Sequence, residues 1–136
     1  MYKNILVPVE PSHVEKHQQA LDMAQHLAEP GATITALTVI EPVPGYFAMA
    51  ESLPDLQLQA GKATLSDLKD FVGDRAAITT KVLHGHAATE IIGYAEREDV
   101  DCIVIASHKP GFADYFLGST AARVVRHAPC CVHVMR

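Results

Sequence analysis

Five short apolar runs, each separated from the next by a segment long enough for a helix, constrain this chain most strongly. They are residues 5–9 (ILVPV), 32–40 (ATITALTVI), 76–84 (AAITTKVLH), 102–106 (CIVIA) and 131–135 (CVHVM). Unbroken runs rich in β-branched residues are the pattern of buried parallel strands. Pro8 donates no backbone hydrogen bond and is expected at the end of its strand.

The intervening segments read as helices. Pro11-Ser12 opens the first, Ala20, Leu21, Ala24, Leu27 and Ala28 recur at helical spacing, and Pro30-Gly31 stops it. Residues 50–72 carry Leu56, Ala60, Ala63, Leu68 and Phe71 on one face, with Pro54 near the start. Residues 86–98 follow Gly85 and place Ala87, Ala88, Ile91, Ile92 and Ala95 likewise. A last helix runs from Gly118-Ser119 to His127. The alternation predicts an α/β fold: a single doubly wound five-stranded parallel sheet with helices on both faces. One domain, residues 1–136, accounts for the whole chain, with no internal repeat or linker.

Composition narrows the function. Eleven Lys and Arg against 16 Asp and Glu give 11 − 16 = −5, which disfavours a nucleic-acid partner. No apolar run approaches the roughly 18 residues of a membrane span, so no membrane insertion is expected. Three cysteines, two of them adjacent at Cys130-Cys131, do not make a disulfide framework, and a cytoplasmic location is expected. Neighbours along a strand point to opposite faces, so Cys130 and Cys131 are expected as ordinary buried thiols.

In such sheets ligands bind at the carboxyl ends of the strands where the winding reverses. The segment after Ala106 stands out: Ser107-His108-Lys109-Pro110-Gly111, then residues 112–117, then Gly118-Ser119-Thr120. A helix N-terminus offers unpaired amides and a partial positive charge, both suited to phosphate. Gly118 admits close backbone approach, Ser119 and Thr120 add hydroxyls, and Lys109 adds a cation. The plainer alternative is a turn at Gly118 and a helix cap at Ser119.

Several segments together resemble the universal stress protein family. They are residues 4–10 (NILVPVE), 37–40 (LTVI), Gly85, 101–108 (DCIVIASH), 117–119 (LGS) and 124–130 (VVRHAPC). The resemblance implies strand order 3-2-1-4-5, a homodimer and ATP as ligand, with AMP or ADP as shorter forms and Mg optional. The family's Gly-x-x-Gly, nine residues, then Gly-Ser or Gly-Thr is altered. Ala106 stands at the first glycine, the second is deleted, and Gly118-Ser119 is intact. The segment resembles a branch that reads Ala-Ser-His-Arg/Lys-Pro.

Carried over by position, Pro8, Val9 and Glu10 flank adenine and ribose, Glu10 standing where the family usually has Asp. Val39 offers backbone groups to the adenine edge, and Ile105 and Ala106 form the floor. Ser107, His108 and Lys109 face the phosphates or ribose. Gly118, Ser119, Thr120 and Ala121 close over the phosphates, Ala121 lacking a hydroxyl other members carry. One missing donor, at about 0.5–3 kcal/mol, weakens binding without abolishing it.

No Walker pattern or paired nucleophile and base appears, and Asp114 reads as a turn residue. The expectation is a regulatory module that binds nucleotide without efficient turnover and presents an ordered surface to a regulatory protein partner. The ligand is expected to order residues 108–116 and 42–46. The alternatives are an interaction module without nucleotide and a slow ATP hydrolase. His13 with His17, and His84 with His86, do not complete a metal ligand set. Lys109, Arg123 and Arg126 suit phosphate or helix-terminus roles. Residues 131–135 are expected at the sheet edge, where pairing about a two-fold axis gives an antiparallel dimer.

Overall fold

The computed structural model describes residues 1–10, 14–42, 53–75, 77–107 and 117–136. The expected segments at 43–46 and 108–116, with His108, Lys109 and Asp114, and also His13, lie outside the described residues.

Strands β1 (Tyr2–Pro8), β2 (Ala28–Ile40), β3 (Ile78–His84), β4 (Cys102–Ala106) and β5 (Cys131–Met135) form one parallel sheet in the order β3-β2-β1-β4-β5. Helices α1 (Val14–Leu27), α2 (Leu53–Val72), α3 (Ala87–Arg97) and α4 (Ser119–His127) alternate with them. Fold class and strand order agree with the expectation.

Two-residue periodicity divides the core into two layers. Ile5, Val7, Cys102 and Val104 pack with Ala20, Leu21 and Ala24 of α1 and Leu68 and Phe71 of α2. Leu6, Ile103 and Ile105 face the other way, onto Ala88 and Ile91 of α3 and Ala121 and Val124 of α4. Each buried large aliphatic side chain stabilises the fold by about 1.5–3 kcal/mol.

Three features differ from the sequence reading. Helix α1 ends at Leu27, and β2 begins at Ala28, ahead of Pro30-Gly31. Tyr2 pairs with Ala28 but Asn4 pairs with Thr33, so the intervening residues of β2 form an irregularity with Gly31 at φ 82°. In α2, Leu68, Phe71 and Val72 are buried whereas Ala60 and Ala63 are exposed. A 20-residue helix is about 30 Å long and the seven-residue β3 about 23 Å, so α2 outreaches that strand, and the exposed alanines lie before its buried last turn.

The third difference concerns the thiols. Cys131 is exposed and Cys130 half-buried, because β5 is an outer strand; the buried thiol is Cys102. Val132 and Val134 pack on the α3/α4 layer and Met135 on the other, as strand alternation requires.

Candidate functional site

The site begins where β1 and β4 part. They pair at Ile5–Cys102 and Leu6–Ile103, and each continues beyond without further pairing. Even-numbered residues of β1 face β4, since the Asn4 carbonyl accepts from the Asp101 amide; odd ones face β2, since the Val9 amide donates to the Leu37 carbonyl at 2.8 Å. Pro8 is therefore the residue whose amide would reach toward β4, and it has none. The strands separate there, at the point where the winding reverses.

A cleft of about 180 Å³ occupies this gap. Pro8 borders it from the end of β1, Val9 and Glu10 from the residues that follow, and Leu37 and Val39 from β2. Ile105 and Ala106 come from β4, Gly118, Ser119, Thr120 and Ala121 from α4. Ten of the expected site residues thus meet at one cavity. Val9 is held by its amide bond to Leu37 and by the Thr38 hydroxyl, which donates to the Val9 carbonyl at 2.9 Å.

Ser107 is buried and supports the cleft without lining it. Its amide donates to the Met135 carbonyl at 2.7 Å, and its hydroxyl accepts the Gly118 amide at 3.3 Å. This second bond ties the end of β4 to the start of α4.

The alternative of a helix cap at Ser119 does not form. Gly118 is the N-cap, Ser119 the first helical residue, and no side chain caps the turn. Gly118 adopts φ −55° and ψ 153°, angles open to any residue, so backbone conformation gives no reason for glycine there. The first i to i−4 bond runs from the Ala122 amide to the Gly118 carbonyl at 2.8 Å. The amides of Ser119, Thr120 and Ala121 lie ahead of it, among those a helix leaves without intrahelical partners.

A second helix start borders the cleft at Ala87 of α3. Here the amide is occupied: it donates to Oε1 of Glu41 at 3.0 Å. That carboxylate compensates the positive end of α3. The turn into α3 needs glycine. Gly85 has φ 145°, its amide donates to the Ile40 carbonyl at 3.0 Å, and an added Cβ would meet the Glu90 carboxylate at 2.7 Å.

Sequence reasoning missed four cleft residues: His17, Leu37, Ala87 and Ile91. Leu37, Ala87 and Ile91 read as core, and His17 as half of an incomplete metal pair with His13. Among the described residues no group of three or more His, Cys, Asp or Glu is placed to hold a metal ion. His84 packs toward α2, its ring 3.2 Å from where a Cβ on Gly61 would lie, and His86 is the N-cap of α3. Arg123 and Arg126 are exposed on α4 and do not line the cleft; Arg126 stands in the last turn, which favours a cation.

With this cleft, the sheet order and the helix placement in view, the comparisons with known proteins converge. A sequence model of the universal stress protein family matches residues 1–136, and the chain belongs to that family. It is 31% identical over 145 residues to universal stress protein G of Salmonella typhimurium, with all of both chains covered. Its fold is similar to that of the universal stress protein UspA from Lactobacillus plantarum, at 30% identity and a TM-score of 0.72, covering 99% of this chain and 98% of that one. An Arabidopsis thaliana universal stress protein family protein, solved with AMP bound, shares the fold at 16% identity and a TM-score of 0.64, with 98% and 90% covered.

Proposed function

We propose that this chain binds an adenine nucleotide, ATP or its shorter forms ADP and AMP, in the cleft between β1 and β4. It acts as a homodimeric stress-response module without efficient turnover. The observation that carries the reading is the first turn of α4, whose leading amides border the cleft while the equivalent amide of α3 is taken by Glu41. Phosphate oxygens suit those amides and the positive end of the helix. Pro8, Val9 and Val39 offer an apolar slot for the base, and Glu10 an acceptor for ribose hydroxyls. The AMP-bound Arabidopsis protein of the same fold supports this choice of ligand. Mg²⁺ is optional, since the phosphate contacts proposed here come from amides and hydroxyls.

Isothermal titration calorimetry with ATP tests the reading. Saturable heat is expected for the unaltered protein, and its loss in Gly118→Val, which adds a branched side chain to a cleft-lining residue. No heat at millimolar ATP from folded protein would overturn the proposal in favour of an interaction module without nucleotide. Multiple rapid turnovers per protomer would overturn the non-catalytic part.

A further inference from the structure

One wall of the cleft, that of α1, has no role in the reading above. Four polar residues are buried among the described residues: His17, Thr35, Thr38 and Ser107. Thr35 bonds Thr79, Thr38 holds Val9, and Ser107 holds Gly118. His17 is the one that lines the cleft, at 6% exposure. Among these four it alone presents a ring with two nitrogens at the cleft.

The preceding residue is a half-buried lysine. Lys16 donates from Nζ to the Ser107 carbonyl at 3.3 Å, and the Ser107 hydroxyl accepts the Gly118 amide. One residue thus links the ammonium to the first turn of α4. An ammonium carries three donors, of which the carbonyl takes one. Helices α1 and α4 pack on opposite faces of the sheet, so the cleft is bordered from both sides.

We propose that Lys16 and His17 form a recognition wall for the phosphate end of the nucleotide, supplying from α1 the cation and the side-chain donor that complement the α4 amides. The inference rests on the nucleotide reading and deepens it. A phosphate entering the first turn of α4 meets dipolar donors from one face of the sheet. Lys16 adds a full charge beside Ser107, the residue that bonds the Gly118 amide, and the His17 imidazole adds a planar polar group in the cleft lining. Adenosine, which has the same base and ribose but no phosphate, gains little from either.

Calorimetry with AMP and with adenosine separates this role from a structural one. The variants are Lys16→Met, which keeps the apolar stem, Lys16→Arg and His17→Gln. Lys16→Met is expected to weaken AMP about tenfold while leaving adenosine within about twofold, the loss of one charged contact. Lys16→Arg is expected to recover most of the AMP affinity, and His17→Gln to lower the AMP-to-adenosine ratio. Equal losses for both ligands, or unchanged AMP affinity in Lys16→Met and His17→Gln, would overturn the recognition wall and leave the nucleotide reading standing. An unaltered protein that binds neither ligand would overturn both.

Discussion

Pro8 and Gly118 act through what they lack. Pro8 has no amide to carry the β1–β4 ladder forward, and Gly118 has no side chain where the α4 amides meet the cleft. Both were legible in the sequence: Pro8 because a missing amide ends a ladder in any sheet, Gly118 because it precedes a helix start at the carboxyl end of a strand. The thiols were less legible, since the exposure of Cys131 depends on which strand lies outermost. Burial pushes the Cys102 thiol up to about 12, with its neighbours Cys130 and Cys131 adding to the effect. The sign follows: in the unfolded chain this thiol ionises above roughly pH 8.5, whereas in the folded protein it stays protonated to about 12. Its contribution to stability is complete below the first value and declines as pH rises toward the second. Urea unfolding from pH 8 to pH 11, in the native protein and in Cys102→Ala, checks this. The native protein is expected to lose stability more steeply, and parallel curves would contradict it.

Among the elements, the amino end of β1 is fixed by one carboxylate. The Lys3 and Asn4 amides donate to the two oxygens of Asp101 at 2.8 and 3.0 Å, and the Asp101 amide returns a bond to the Asn4 carbonyl at 2.9 Å. β1 and β4 are thus clamped at one end and free to part at the other. The strand–helix order and buried runs were legible because period-two and period-3.6 patterns differ sharply. The overhang of α2 was not, because its apolar spacing continues past the part that meets the sheet.

β5 carries a prediction of its own. The Met135 carbonyl faces β4 through its bond to Ser107, so Val132 and Val134, one residue out of phase, direct their backbone groups to the open edge. Antiparallel self-pairing through those groups is the proposed dimer contact. Val134→Pro removes one edge donor and leaves the β4 ladder intact. Sedimentation velocity is expected to show a dimer for the unaltered chain and a folded monomer for the variant. A monomeric unaltered chain, or an undisturbed dimer in Val134→Pro, would contradict the contact.

For the molecule as a whole, the proposed function turns on how two helix starts are used around one gap in a sheet. The carboxyl-end location and most of the cleft residues could be anticipated from strand order and family resemblance. The division of labour between α3 and α4 could not, because Glu41 and Ala87 are 46 residues apart and meet only in the fold. Neither could the approach of α1, since Lys16 reaches Ser107 across 91 residues. Titrating ¹⁵N-labelled protein with ATP and following each amide in two-dimensional NMR spectra tests the central claim most directly. The largest shifts are predicted at Ser119, Thr120 and Ala121, with the Glu41-bonded amide of Ala87 changing far less. A folded protein whose α4 amides stay in place at millimolar ATP would contradict the account.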